Sequence, residues 1–379
     1  MLIALRIALL LSALLLIVGT ALNFTKRPHW FIRIWDFPRV FTAAIAVAVG
    51  VAYGVLFHRG WYDWALLAGL AFVLARQLYM IFPYTPLAPK AVKRAKNPSE
   101  RSSLRLVISN VLMENREFDR WHQVIRDADP DVIVAVELDP EWEKALRPLD
   151  AEYPHAVLKI QSNYYGMALF SRLKIERHEI RHIVQDDIPS IHATLRLRDG
   201  QQVQVHALHP RPPEPINDQD SAPRDAELVL MGKEIDQHQR GDPTIVCGDL
   251  NDVAWSRTTQ LFLRLSKLLD PRKGRGFYNS FNAKSRVFRF PLDHVFHSDE
   301  FKLIELRVLD YVGSDHFPML IEVSCEPDAA RDAQSEPRER SDDREDAQEI
   351  IEEQAEREQK GEEHGHVSER GSERGSRRG

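Results

Sequence analysis

Three long apolar runs crowd the first 84 residues and restrict what this chain can fold into. They cover Leu2–Leu22, Phe41–Phe57 and Trp61 to about Ile81. Each is close to the ~20 residues that an α-helix needs to cross a bilayer. Burying three such helices inside a soluble core is unfavourable, so the runs predict a membrane domain with three transmembrane helices over residues 1–84. Cleavage of the first run as a signal peptide is the alternative.

Positive charge in the loops predicts how these helices are oriented. Basic residues follow the first and the third run, at Lys26, Arg27, Arg33, Arg39, Lys90, Lys93, Arg94, Lys96 and Arg101. With three spans both groups lie on the same side of the membrane, and the positive-inside rule assigns that side to the cytoplasm. Arg6 favours the opposite orientation. We therefore expect a multi-pass protein of the cell membrane whose soluble part faces the cytoplasm.

Composition divides the rest of the chain into three parts. Residues 85–102 are basic and proline-rich, which is typical of a linker. Residues 327–379 hold 17 acidic and 10 basic residues, and so carry the negative excess of a chain with net charge −6. Since they contain few aliphatic residues, they predict a disordered charged tail, with a short helix around 347–360 as the alternative. Residues 103–326 remain as the folded domain.

The folded domain combines buried strands with amphipathic helices. The runs "VIVAVEL" at 132–138 and "TIVCGD" at 244–249 are typical of buried strands. Asp199-Gly200 lies between two alternating runs and predicts a β-hairpin. Hairpins together with strand–helix–strand units predict an α/β domain with mixed sheets and outer helices. The chain's two cysteines indicate neither a disulfide framework nor a Cys/His metal site.

Polar residues follow the apolar runs where the predicted strands end. They are Asn110, Glu137, His209, Asp249, Asn251, Asp293, Asp315 and His316. An unpaired carboxylate is costly to bury, but several can be buried together if they share a cation. Oxygen ligands without thiolates select a hard ion, so the pattern predicts Mg²⁺ or Mn²⁺ as the cofactor.

The motifs around these residues resemble those of the endonuclease/exonuclease/phosphatase superfamily, also called DNase I-like or exonuclease III-like. The resemblance covers roughly residues 103–324 and rests on "SN" at 109–110, "VE" at 136–137, "GMALFSR" at 166–172, "HALHP" at 206–210, "GDLN" at 248–251, "LDHVF" at 292–296 and "SDHFP" at 314–318. Their order and separation make the match specific. The resemblance implies a four-layer α/β sandwich, two mixed β-sheets flanked by helices, here preceded by three transmembrane helices in a bacterial-type, membrane-anchored member.

The resemblance also implies a metal site in this chain. Glu137 would be the principal ligand of a Mg²⁺ or Mn²⁺ ion, with Asn110 and Asp315 beside it. The metal would neutralise charge that develops on the phosphate during the reaction. Each of these residues, taken singly, can also be a structural strand-end residue.

Five further residues match the family's catalytic positions. Asp249 would be the general base that orients or deprotonates the attacking water. Asn251 would donate a hydrogen bond to a phosphoryl oxygen, and His209 would contact the scissile phosphate. His316 would contact the phosphate as an imidazolium, with Asp293 holding its tautomer.

Two arginines are candidates for substrate binding. Arg211 lies in the proline-rich stretch at 209–215, and Arg275 lies in a basic and aromatic stretch at 271–290. The second stretch precedes Asp293, so it is expected at the rim of the site, where it would grip phosphate or stack on bases. A flexible surface loop is the alternative for this stretch.

Three functions agree with these observations. The first is a membrane-anchored, metal-dependent phosphodiesterase with nuclease-like activity. The second is a lipid or head-group phosphohydrolase of sphingomyelinase or inositol-phosphatase type, which the anchor favours, although no extended apolar loop suited to entering lipid is evident. The third is a non-catalytic membrane scaffold. The expected partners are a phosphoester substrate, either nucleic acid or phospholipid, and the bilayer, with no obligate protein partner.

Overall fold

The computed structural model describes residues 1–58, 60–213, 220–238, 242–326 and 334–360. The helices are α1 (Leu2–Leu22), α2 (Trp30–Arg33), α3 (Arg39–Phe57), α4 (Trp61–Ile81), α5 (Phe118–Ala128), α6 (Pro140–Leu146), α7 (Ala222–His238), α8 (Arg257–Ser266) and α9 (Asp343–Lys360). The strands are β1 (Ser103–Asn110), β2 (Val132–Val136), β3 (His155–Lys159), β4 (Met167–Ser171), β5 (Lys174–Arg181), β6 (Ser190–Arg196), β7 (Gln202–Ala207), β8 (Thr244–Asp249), β9 (Asp293–His297), β10 (Phe301–Val308) and β11 (Met319–Cys325).

The three predicted apolar runs form the helices α1, α3 and α4, each long and apolar enough to cross a membrane. They pack together through small residues, and Ala13 and Ala46 are buried between them. Their outer surface is apolar: Leu11, Val51 and Phe72 are each more than half exposed. A surface of this kind matches lipid and not water.

Eleven strands form two mixed sheets among the described residues, as the sequence predicts. The first sheet has the order β10-β11-β1-β2-β4-β3, and the second has the order β5-β6-β7-β8-β9. One neighbouring pair in each sheet is parallel, β1 with β2 and β7 with β8, and the other pairs are antiparallel. Each parallel pair brings two strand ends to the same edge of its sheet.

The alternation of side chains along the strands produces four layers. In β1, Leu106 and Ile108 point into the core between the two sheets, whereas Val107 points outward. Helices α5 and α6 cover the outer face of the first sheet, where Trp121 and Trp142 are completely buried. Helices α7 and α8 cover the outer face of the second sheet. The four-layer α/β sandwich is therefore confirmed.

The segment predicted as a linker, residues 85–102, is fixed along the α/β domain. Val92 is completely buried in the core between the sheets. Arg94 forms a β-bridge with Leu303, and the amide N–H of Leu303 donates to the carbonyl of Lys93 at 2.9 Å. These contacts hold the α/β domain close to the end of α4.

The prediction of a disordered tail is wrong for residues 343–360, which form α9. Ala347 is buried against α7 and α8, with Ile350 and Ile351 packed beside it. Arg264 of α8 binds the carboxylate of Asp343 through two hydrogen bonds of 2.7 Å. A helix with few aliphatic residues is stable here because the domain supplies the apolar surface. Residues 334–342 of the predicted tail are described and form no helix or strand, and residues 327–333 and 361–379 lie outside the described residues.

The α/β domain lies against the end of the helical bundle where α1 ends, α3 begins and α4 ends. The hydroxyl of Tyr84, just after α4, donates to the carbonyl of Ala254 at 2.6 Å. The indole N–H of Trp255 donates to the carbonyl of Asp36, just before α3, at 2.7 Å. The two domain residues in these contacts, Ala254 and Trp255, come shortly after β8 in the chain. The end of β8 is therefore next to the bundle.

Candidate active site

The ends of strands from both sheets meet at one edge of the sandwich. Asn110 ends β1, and Glu137 follows the parallel strand β2, whose Val136 is paired with Asn110. In the second sheet, Asp249 ends β8 and lies opposite Asp293, the first residue of β9. The side-chain amide of Asn110 joins the sheets, because its nitrogen donates to Glu137 Oε1 at 2.7 Å and to Asp249 Oδ2 at 3.0 Å.

The backbone is unusual at the end of β8. Gly248 has φ 141°, and a Cβ at this position would lie 1.9 Å from the carbonyl oxygen of Leu208. Glycine is required here because the end of β7 passes so close. Asn251 has φ 50°, the left-handed region that asparagine tolerates better than most residues. Its N–H donates to Asp249 Oδ1 at 2.9 Å, which fixes the carboxylate of Asp249.

A buried histidine lies between two buried carboxylates. His316 Nδ1 is 2.7 Å from Asp293 Oδ2, and its Nε2 is 3.4 Å from Asp249 Oδ2. Burial lowers the pKa of His316, but the negative charges of Asp249 and Asp293 outweigh it and raise the pKa to about 10. The ring is therefore an imidazolium at neutral pH, as the sequence analysis expects. It can donate a proton or a hydrogen bond to an anionic ligand.

Glu137 is a carboxylate whose described hydrogen-bond donors are neutral. Its Oε1 accepts from Asn110, and its Oε2 accepts from the N–H of Met113 at 3.2 Å. Burial raises the pKa of Glu137 to about 7, although the hydrogen bond from Asn110 and the positive charge of His316 both lower it. A bound cation would offset this cost, so the donor set fits the hard divalent ion that the sequence predicts.

The structure offers a second arrangement for a metal. Ligand atoms of Asp249, Asp293 and His316 lie within 4.8 Å of one another. A metal there would have to displace a proton of His316, because both ring nitrogens face carboxylates and the ring is charged. A cation beside Glu137 requires no such loss, so Glu137 remains the better candidate.

The other two predicted metal ligands have different surroundings. Asn110 uses its amide nitrogen to bridge two carboxylates, and its amide oxygen accepts from the N–H of Leu112 at 3.0 Å. In this orientation Asn110 is a bridging residue, and ligation through its oxygen would need the amide to turn. Asp315 adds negative charge beside His316. Its ligation of a metal together with Glu137 stays a prediction.

His209 is buried at the same edge and is neutral. Burial lowers its pKa to about 4, although the charge of Asp249 acts in the opposite direction. Its Nδ1 is buried without a hydrogen-bond partner in the part of the chain that the structure describes. Its ring packs against Tyr165 at 5.4 Å. His209 is thus positioned to bind a ligand. The side-chain amide nitrogen of Asn251 donates to the carbonyl of Pro210 at 3.0 Å.

The two predicted substrate-binding arginines have different positions. Arg211 lies over the ring of Tyr165, next to His209, and its guanidinium is 2.6 Å from the carboxylate of Asp187. It is therefore beside the site. Arg275 instead donates to the carbonyls of Pro271 and Val92, at 3.0 and 2.5 Å. These contacts hold the linker segment, and a substrate-binding role for Arg275 stays a prediction.

Sequence reasoning missed two aromatic residues of this site. Phe281 packs its ring 4.9 Å from the ring of His316, and the two residues also form a β-bridge. Tyr165 contacts both His209 and Arg211. Tyr165 immediately precedes the motif "GMALFSR", and Phe281 belongs to the stretch expected at the rim. Neither position carries a signal that separates it from an ordinary packed aromatic residue.

Comparison with known proteins gives one family match. The sequence model of the endonuclease/exonuclease/phosphatase family matches residues 108–316, more than half of the chain. Comparison with curated protein sequences gives no match.

Solved structures similar to this chain include three of low sequence identity. The structure of D. rerio TDP2 complexed with a single-strand DNA product has 15% identity and a TM-score of 0.49, covering 59% of this chain and 99% of that chain. The catalytic domain of human Nocturnin with a bound sulfate anion has 18% identity and a TM-score of 0.47, covering 59% and 95%. An endonuclease/exonuclease/phosphatase from Beutenbergia cavernae has 17% identity and a TM-score of 0.49, covering 60% and 72%. On the family match, this chain belongs to the endonuclease/exonuclease/phosphatase family.

Proposed function

We propose that this protein is a membrane-anchored phosphoesterase that uses a divalent metal ion to hydrolyse a phosphodiester by in-line attack of water. The observation that carries the proposal is the set of contacts Asp293–His316–Asp249–Asn110–Glu137, which links an imidazolium, a carboxylate base and a candidate metal ligand across both sheets. Nucleic acid and phospholipid both contain such a phosphodiester.

Each residue has a distinct part in the proposed reaction. Asp293 holds Nδ1 of His316, so that the Nε2–H of His316 can turn from Asp249 to a phosphoryl oxygen. Asp249, released from that contact, accepts the proton of the attacking water. Asn110 and the N–H of Asn251 keep the Asp249 carboxylate in place. A Mg²⁺ or Mn²⁺ ion held by Glu137 would neutralise charge on the phosphoryl group.

The anchor and its orientation are part of the proposal. The lengths of α1, α3 and α4 support membrane anchoring, and the basic residues after α1 and α4 support a cytoplasmic position for the α/β domain. A reporter enzyme fused after Lys360 tests this orientation. A signal from the outer side of the cell membrane would contradict it.

A substrate panel tests the proposed activity. The full-length protein in detergent is given Mg²⁺ or Mn²⁺ with plasmid DNA, RNA, phospholipid and bis(p-nitrophenyl) phosphate. Asp249→Asn keeps the size of the side chain but removes the base, and we expect its rate to fall by about a hundredfold or more. Asp127→Asn, at an exposed position of α5, is the matched control and should react like the parent. If the parent cleaves none of these substrates, the scaffold hypothesis is favoured instead.

A further inference from the structure

One wall of the candidate site is a ten-residue segment, Phe281–Phe290, which we name the rim loop. Its first residue packs on the ring of His316 at 4.9 Å. The N–H of Ala283 donates to the carbonyl of Asp315 at 2.6 Å, so the backbone of the loop is also tied to the His316 segment. Arg289, near its other end, lies over the ring of Phe317 at 4.8 Å. The rim loop is therefore in direct contact with His316 and its two sequence neighbours.

The other end of the rim loop contacts the helical bundle. The ring of Phe288 is 5.0 Å from the ring of Phe41, and Phe290 packs on Phe37 at 5.7 Å. Phe41 is in the first turn of α3 (Arg39–Phe57). The 19 residues of α3 span about 28 Å, close to the thickness of the hydrocarbon core of a bilayer. Phe41, and with it Phe288, is therefore at the depth of the bilayer surface.

The composition of the rim loop fits that depth. Val287 and Phe288 are 63% and 59% exposed, unusually high for large apolar side chains of a folded domain. Basic residues come directly before them, since Lys284 and Arg286 are exposed on the same loop. Apolar side chains that enter the acyl region, flanked by cations that meet lipid phosphates, are typical of segments that bind a membrane surface.

This loop was not evident as a lipid-binding segment in the sequence. Only two of its exposed residues are apolar, so the sequence analysis found no extended apolar loop. The structure adds its position, because α3 already places the loop at the bilayer surface and two apolar side chains are then enough to reach lipid.

We propose that the rim loop enters the bilayer surface and that the substrate is the phosphate ester of a membrane lipid. This inference rests on the proposed phosphoesterase activity and names its substrate class. The oxygen of water forms a bond to phosphorus while the ester P–O bond breaks. One proton of water passes to Asp249, and the leaving alkoxide takes a proton from solvent. A diester lipid gives an alcohol and a phosphomonoester.

The main experiment compares two substrates in the same preparation. The full-length protein is reconstituted in vesicles of phosphatidylcholine, phosphatidylethanolamine and phosphatidylglycerol with Mg²⁺ or Mn²⁺. Phosphorus NMR follows the lipid products, and absorbance follows hydrolysis of bis(p-nitrophenyl) phosphate. For the double variant Val287→Ser, Phe288→Ser we expect the ratio of the lipid rate to the soluble rate to fall about tenfold, because two apolar side chains lose their burial in lipid. Leu158→Ser, at an exposed apolar residue of β3, should leave both rates unchanged.

The outcomes separate this inference from the proposed function. Hydrolysis of the soluble diester without any lipid product, or cleavage of plasmid DNA with the lipid untouched, overturns the lipid inference and leaves the phosphoesterase in place. An unchanged ratio in the double variant also overturns it. If neither substrate is cleaved, the proposed function itself fails.

A second measurement does not depend on activity and uses a change that keeps the Phe288–Phe41 contact. Val287→Cys is labelled with a bimane fluorophore in vesicles that contain lipids with a nitroxide at the head group. We expect strong quenching. Lys174→Cys is the control, because β5 begins at the end of the sheets away from Asp249, and it should not be quenched. The native Cys247 and Cys325 are buried and should not be labelled. Equal quenching at both positions, or none at Val287→Cys, overturns the inference.

Discussion

Replacing Asn110 with alanine removes the one side chain that bonds both the Glu137 and the Asp249 carboxylates among the described contacts. The two hydrogen bonds measure 2.7 and 3.0 Å, and Asn110 itself is 1% exposed. A hydrogen bond to a charged group contributes about 1.5–3 kcal/mol. We expect Asn110→Ala to lower the free energy of unfolding by about 3 kcal/mol, the lower limit for the two hydrogen bonds together. The lower limit applies because Glu137 is partly exposed, so water can replace the lost amide donor.

The chain contains its own probe for this measurement. Cys247 and Cys325 are both buried, so a thiol-reactive dye reports unfolding of the full-length protein in detergent micelles. For a domain of this size, 3 kcal/mol corresponds to a decrease of roughly 6–12 °C in the melting temperature. Asn97→Ala, at an exposed residue of the linker segment, should melt within about 1 °C of the parent. A decrease below about 2 °C for Asn110→Ala would refute the bridging role.

Three further predictions concern the metal, a buried acid and buried histidines. Asn110→Asp places a third carboxylate between two, so added Mg²⁺ should raise its melting temperature more than that of the parent; an equal effect would contradict a cation at Glu137. Burial raises the pKa of Glu227 from its ordinary 4.5 to about 8. The buried carboxyl therefore lowers the free energy of unfolding increasingly as the pH rises from 4.5 to 8. Glu227→Gln should melt higher than the parent at pH 7.5 but not at pH 4.5. Burial lowers the pKa of His192 to about 2 and that of His297 to about 4. Below about pH 6.5 the unfolded chain therefore binds protons that the folded chain does not, and the free energy of unfolding should fall by about 1.4 kcal/mol per pH unit for each histidine. Denaturant titration at pH 5–7 measures this slope, and His192→Gln should reduce it.

The sequence was sufficient for the features that depend on local pattern. The three membrane-length helices follow from the length of the apolar runs, and the mixed sheets with outer helices follow from hairpins combined with strand–helix–strand units. The four layers were implied by the family resemblance. The meeting of Asn110 and Glu137 follows from polar residues at the ends of the parallel strands β1 and β2, and Asp249 likewise lies beside the end of the parallel strand β7. Family motifs then supplied the order in which these ends occur.

The features that sequence reasoning did not find depend on contacts between distant parts of the chain. Helix α9 has too few aliphatic residues to fold alone, and its stability depends on the surface of α7 and α8. Arg275 is one of several basic residues in its stretch, and only the position of Val92 shows that it holds the linker segment. Phe288 is an ordinary loop residue in the sequence, and only its contact with Phe41 of α3 connects it to the helical bundle.

The central claim is that water attacks phosphorus in a metal-dependent site built around Asp249. The most direct test is hydrolysis of bis(p-nitrophenyl) phosphate by the full-length protein in oxygen-18-labelled water, with Mn²⁺ or with EDTA, followed by mass spectrometry of both products. We predict that the label enters p-nitrophenyl phosphate, that product forms with Mn²⁺ and not with EDTA, and that Asp249→Asn forms almost none. Label in p-nitrophenol, or equal product in EDTA or in the Asp249→Asn variant, would contradict the claim.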